Sequence, residues 1–131
     1  MTENRFAHEK LEAYRVAREF FALAYPMARD LPRGEAALRD QLKRAATSIL
    51  LNTAEGACRR PGPEKARFFD VARGSASECG AILDAFALLG LAEVAAVDRG
   101  RALLQRCVGL LAGLSRSALA RAGRRAVGPG P

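Results

Sequence analysis

The chain has no tryptophan, only two tyrosines and six phenylalanines, three cysteines and a single histidine in 131 residues. One histidine, His8, cannot build the paired Glu-x-x-His elements of a di-metal carboxylate bundle, so iron or manganese oxidase chemistry is not expected. The cysteines, Cys58, Cys79 and Cys107, are odd in number and widely spaced. They include no Cys-x-x-Cys pair, which argues against a disulfide framework and a zinc site. Cys79 and Cys107 fall on helix seams, where a small buried thiol is the ordinary role, whereas Cys58 beside Arg59 and Arg60 is the more reactive candidate. There is no Gly-rich phosphate loop, no Gly-x-Ser-x-Gly elbow and no cysteine partnered by a second histidine. No apolar run approaches the roughly 18 residues of a membrane span, and MTENRFAHEKLEAYR lacks an apolar signal core, so a cytoplasmic protein with no membrane partner is expected. Most of the few aromatics in the helical segments occupy apolar faces, so base stacking is not expected. No catalytic residue, cofactor or metal ligand is assigned.

What is present is helix-forming and basic. The length suits one domain with a real core. A net charge of +7 and a pI near 10.2 are unevenly distributed. Residues 91–131 hold Arg99, Arg101, Arg106, Arg116, Arg121, Arg124 and Arg125 against Glu93 and Asp98 alone. Such an excess favours polyanions through counterion release, although an Arg-rich solvated face gives the same composition.

No sustained period-2 alternation marks a strand. Punctuation at Leu31-Pro32-Arg33-Gly34, Arg59-Arg60-Pro61-Gly62-Pro63 and Gly90-Leu91 leaves helices at about 7–30, 34–58, 63–89 and 93–122. Short connections make neighbours antiparallel, so the expected fold is an all-α, up-down-up-down four-helix bundle over residues 1–122 with a flexible basic tail at 123–131. Apolar and small residues repeat by threes and fours in the second segment (Leu38, Leu42, Ala45, Ile49, Asn52, Gly56), the third (Phe68, Ala72, Ser75, Cys79, Ile82, Phe86, Leu89) and the fourth (Val97, Gly100, Leu104, Cys107, Leu111, Leu114, Ala118). Pro26 should kink the first segment or end its regular part. Leu50, Leu51, Phe69, Leu83, Leu103 and Leu110 fall off these seams. That surplus is read either as a generous core or, preferably, as a subunit interface.

The polar residues of the middle hairpin form a second pattern. With a turn near residues 60 and 61, antiparallel pairing brings Arg44 opposite the Ser77–Glu78 region, Ser48 opposite Arg73 and Gly74, and Asn52 and Glu55 opposite residues 66–69. Folding back the first helix places Tyr14 and Arg18 near Asn52 and Ser48. Arg44, Ser48, Asn52, Glu55, Arg73, Ser75 and Glu78 are read as a structural network fixing helix register, in preference to a pocket using the Glu55 and Glu78 carboxylates. Gly56 and Gly74 are then expected where helices approach closely.

The run Gln41-Leu42-Lys43-Arg44-Ala45-Ala46-Thr47-Ser48-Ile49, with Asn52-Thr53-Ala54-Glu55-Gly56 and Phe68-Phe69-Asp70-Val71-Ala72-Arg73-Gly74-Ser75-Ala76-Ser77-Glu78, resembles the 23S rRNA intervening-sequence protein family, also called the four-helix bundle protein family. Leu50 stands where that pattern often has proline, and Thr53 where it often has isoleucine. The resemblance implies a homopentamer of four-helix subunits and kinship with the accessory variability protein of diversity-generating retroelements, a basic pentamer that partners a reverse transcriptase. It carries no catalytic role onto this chain. The functional expectation is a non-enzymatic, oligomeric protein binding RNA or DNA through Arg59, Arg60, Arg99, Arg101, Arg106, Arg116, Arg121, Arg124 and Arg125. The alternative is a protein-interaction scaffold or accessory subunit, for example of a reverse transcriptase.

Overall fold

A computed structural model describes residues 6–126, with side chains as far as Gly123. Four helices, α1 (Glu12–Arg29), α2 (Ala36–Cys58), α3 (Pro63–Leu89) and α4 (Val94–Ala126), pack up-down-up-down, with α4 returning against α1 to close the bundle. Short 3-10 turns, Ala7–Lys10 and Arg33–Glu35, lead into α1 and α2.

The bounds of α3 follow from its punctuation. Pro63 opens the helix, where its missing N–H costs no bond and its fixed φ is already helical. The preceding Gly62, at φ 149°, takes a backbone conformation closed to most side chains. At the other end Gly90 adopts a left-handed φ of 67°, and the Leu91 N–H donates to the Phe86 carbonyl at 2.9 Å. That bond and the Gly90 N–H donated back to Ala87 satisfy carbonyls left open by the helix end.

The first helix starts at Glu12 rather than near residue 7, and ends at Arg29, close to the expected bound. Leu11 is extended (φ −89°, ψ 130°), separating the Ala7–Lys10 turn from α1. Pro26 does not end α1, which runs on to Arg29 and closes with the Asp30 N–H donating to the Pro26 carbonyl at 3.0 Å. Proline removes only its own donor, and a site in the last turn leaves little helix beyond it to disrupt. The fourth helix continues to Ala126, so residues 123–126 belong to it; residues 127–131 of the expected tail lie outside the described residues.

The centre of the bundle holds Phe20, Leu42, Ile49, Leu83, Phe86 and Leu111, all at most 1% exposed. Two surplus residues are therefore core. Phe69 and Leu83 are 1% and 0% exposed, while Leu50, Leu103 and Leu110 are partly buried against the same core. Among those six only Leu51 stands clear, at 61%. The helices bury a wider face than a narrow heptad seam, which takes Phe69 and Leu83 into the chain's own interior and leaves Leu51 on the surface. The third seam shifts accordingly: Phe69 enters the core in place of Phe68, and Leu89 is exposed. In α1 the most buried stripe is Ala13, Val16, Ala17, Phe20, Ala24 and Ala28.

The two expected close approaches separate. A Cβ on Gly56 would lie 2.8 Å from Phe69 Cε1 and 2.9 Å from its Cδ1, whereas a Cβ on Gly74 would meet nothing within 4 Å. Gly74 is exposed, so the expected close approach there is absent.

At one end three of the helices extend past α1. Glu12, the first residue of α1, pairs with Arg106, only part-way along α4. Beyond that level α4 continues for about 30 Å at 1.5 Å per residue. There it is accompanied by the last turns of α2 and the first turns of α3, with Thr53, Gly56, Ala66, Phe69 and Ala118 buried among them.

Candidate nucleic-acid interface

The middle hairpin does contain polar bridges, in separate pieces. The Ser48 and Ser75 hydroxyls meet at 2.7 Å across α2 and α3, and Asn52 Nδ2 donates to the Ser48 carbonyl and hydroxyl, each at 3.0 Å. One turn of α2 is thus tied to α3 by half-buried neutral groups. Nearer the far end, Arg44 donates to Glu78 at 3.2 Å. Glu55 and Arg73 do not join either bridge. Glu55 binds Arg59 at 2.6 Å one turn along its own helix, and Arg73 pairs with Asp70 at 3.4 Å. A carboxylate and a guanidinium on one helix face meet without bending either chain, which explains why the expected single network breaks up. Tyr14 and Arg18 line a groove with Leu50, and Tyr14 leans on His8 at a ring separation of 4.4 Å.

Thr53, which stands where the family pattern often has isoleucine, is not among the expected polar network residues. It is fully buried, its hydroxyl donating to the Ile49 carbonyl at 2.7 Å. Self-satisfaction one turn back lets threonine occupy a core position. Among the described residues no buried side-chain nitrogen or oxygen lacks a partner. No group of three or more His, Cys, Asp or Glu among them could hold a metal ion. Glu55 and Glu78 engage different arginines, and neither lines the grooves beside α1, between α3 and α4, or at the N-terminal turn.

The arginines divide by partner. Arg101 is held by Asp84, and Arg106 by Glu12. Arg59 sits between Glu55 and Glu64, its guanidinium 5.1 Å from the Phe68 ring. Those three candidates have their charge matched locally. Among the described residues Arg60, Arg99, Arg116 and Arg121 have no carboxylate within 4.0 Å. Arg99 belongs to the early turns of α4, Arg116 and Arg121 to its last turns, and Arg60 to the α2–α3 turn. The side chains of Arg124 and Arg125 lie outside the described residues.

Two cations missing from the sequence candidates join this end. Arg67, on the first turns of α3, lies 4.6 Å from the Phe68 ring and has no carboxylate partner among the described residues. Lys65 donates to the Gly56, Ala57 and Arg59 carbonyls at 2.9, 3.3 and 2.9 Å, closing the C-terminus of α2. Burial lowers the Lys65 pKa, and the nearby Arg121 charge lowers it further. The signal that could have found both was the turn itself, because the residues just after Pro63 must share its end of the bundle.

The thiols differ in the same way. Burial pushes Cys79 up to about 12 and Cys107 to about 11, while Cys58 is exposed at the end of α2. At pH 8 an excess of thiol reagent should label one cysteine per native chain and three after denaturation. Rapid labelling of all three in the native protein would contradict the packing of α3 on α4. The linkage also has a sign. Raised thiol pKa values leave stability intact below the ordinary thiol value of 9.0, and remove it as pH rises from there towards 11.

These observations define a class: a small all-helical bundle with most of its described carboxylates in ion pairs, and with Arg60, Arg67, Arg116 and Arg121 unpaired at one end and Arg33 and Arg99 at the other, among the described residues. The chain belongs to the 23S rRNA-intervening sequence protein family, whose profile matches residues 9–113. That family is one of small helical proteins not known as enzymes. No curated protein matches the chain. No helix among the described residues is long and apolar enough to cross a membrane.

Proposed function

We propose that this protein binds nucleic acid, without catalysing a reaction, at the end of the bundle where α2, α3 and α4 extend past α1. The observation that carries this reading is the concentration there of Arg60, Arg67, Arg116 and Arg121 with no carboxylate partner among the described residues, while Arg101 and Arg106 are neutralised. Guanidinium groups suit phosphate because their planar forks donate in pairs and remain charged. A double-stranded RNA has a major groove too deep and narrow for side chains to read, so recognition by charge and shape is favoured over base sequence. The family's name refers to intervening sequences of 23S rRNA, which favours RNA over DNA. Mobility shift of a structured RNA should be present near 50 mM salt and weaken steeply as salt rises, since each phosphate contact releases counterions. Absence of a salt-sensitive shift at high protein concentration would remove this function.

A second reading has its own observation. At the opposite end Leu88, Leu89 and Val94 are 86%, 58% and 74% exposed around the α3–α4 turn. Such a patch favours a protein contact, whether in the implied homopentamer or with an accessory partner such as a reverse transcriptase. A single-chain mass in solution would eliminate the pentamer.

A further inference from the structure

The N-terminal turn carries aromatics outside the bundle core. Phe6 is 68% exposed, and its ring lies nearly parallel to His8, with centroids 5.5 Å apart and planes 8° from one another. His8 in turn rests on Tyr14 at 4.4 Å. The result is a short run of three rings: exposed Phe6 stacked on His8, and His8 tilted by 54° onto Tyr14. It is held by local bonds: the Phe6 N–H donates to the Glu9 carboxylate at 3.3 Å, and the Glu9 N–H donates to the Phe6 carbonyl at 3.1 Å.

The column forms one side of an open cleft of about 780 Å³ that also takes in Lys10, Arg15 and Arg18. Glu9 is the one carboxylate among the cleft's lining residues, and it is engaged by the Phe6 backbone. Arg15 has only a 3.7 Å approach to Glu12, and Lys10 and Arg18 have no carboxylate within 4.0 Å among the described residues. An exposed π-face next to a cluster of positive charge is the combination that takes an unpaired base and its phosphate.

We infer that this cleft is a single-strand subsite: an unpaired nucleobase continues the Phe6–His8–Tyr14 column on the open face of Phe6, and its flanking phosphates meet Lys10, Arg15 and Arg18. The inference rests on the nucleic-acid reading above and adds to it a preference for unpaired residues. A duplex keeps its bases stacked inside and offers the cleft only phosphates.

The test compares a labelled single-stranded RNA of mixed sequence with the duplex of the same sequence, by fluorescence anisotropy. Phe6→Ala should weaken single-strand binding about tenfold and leave duplex binding within about twofold, with no change in salt slope because no charge is removed. Phe6 is outside the buried core, so helicity should be unchanged. Because the chain has no tryptophan, Phe6→Trp supplies a unique reporter. It should keep single-strand affinity, and its emission should be quenched as the base stacks. Unaltered single-strand affinity in Phe6→Ala overturns the subsite, as does an unquenched Phe6→Trp with RNA bound. If the duplex still binds in that case, the basic end of the bundle stands alone. If substitutions at Arg60, Arg67 and Arg121 leave duplex affinity intact while Phe6→Ala loses single-strand binding, the subsite stands and the basic end does not. A protein that binds neither RNA overturns both.

Discussion

Replacing Phe69 with alanine is expected to lower stability by about 3–5 kcal/mol, read from the midpoint of urea or guanidinium denaturation. The ring is 1% exposed, in the region where α1 has already stopped and three helices must close a core. Gly56, which packs directly against the ring, is too small to fill the space, and Lys65, with its ammonium 5.5 Å from the ring, is held in place by the carbonyls at the end of α2. A typical domain is stable by about 5–15 kcal/mol, so this loss is a large share. The same ring makes Gly56 sensitive. A methyl at 2.8 Å from a buried aromatic carbon forces the helices apart at a cost of about 1–3 kcal/mol, only partly offset by a helix-propensity gain of about 1 kcal/mol. Gly74→Ala, with open space around its Cβ, should instead gain up to about 1 kcal/mol. Phe69→Leu should relieve the Gly56→Ala defect, giving a coupling of at least about 0.5 kcal/mol in a double-mutant cycle. Simple additivity would mean that the ring and the glycine do not constrain each other.

These residues show where pattern reading succeeds and where it stops. Proline and glycine act through their own backbones, so Pro63 and Gly90 bound α3 from sequence alone. Phe68 and Phe69 are adjacent and chemically equal, and a three-four repeat passes through either. Three-dimensional space decides between them: Gly56 leaves room for Phe69, while Phe68 remains outside against the Arg59 and Arg67 guanidiniums. Hairpin register puts Ser48 opposite Arg73 and Gly74, next to its actual partner Ser75; both serines sit near the seam, where few rotamers are open. Glu55 and Arg73 are long and peripheral. Each finds a partner along its own helix before it can reach across, and spacing on the partner helix does not encode that choice. For the cationic site the sequence carried the charge excess but not its compensation. Arg101 and Arg106 look like Arg116 and Arg121 until folding brings Asp84 and Glu12 beside them. The Phe6–His8–Tyr14 column escaped for a related reason. Its members are spread over nine residues and belong to no regular repeat, because the extended Leu11 turns the segment back on α1.

That compensation gives the largest expected effect on binding. Substituting Arg60, Arg67 and Arg121 together by glutamine should weaken duplex RNA binding several hundredfold at 0.1 M salt, since each phosphate contact contributes about eightfold there through counterion release. The slope of log affinity against log salt should fall by about 2.7 in the same variant, at about 0.9 per contact. Arg101→Gln with Arg106→Gln removes charge from the same helix and serves as the contrast. Each of those guanidiniums already faces a carboxylate, so its far field is that of a dipole and adds little at a phosphate. The double substitution also frees Asp84 and Glu12, so a modest loss of about two- to threefold at low salt is expected from their added negative charge, with the salt slope nearly unchanged. Stability should hold in both sets, because exposed arginines and surface ion pairs contribute about 0–1 kcal/mol each. If the paired arginines lower affinity and slope as much as the unpaired ones, total charge governs binding and the end of the bundle has no special role. If only the triple substitution does so, the protein reads its polyanion with the charge that folding has left uncompensated.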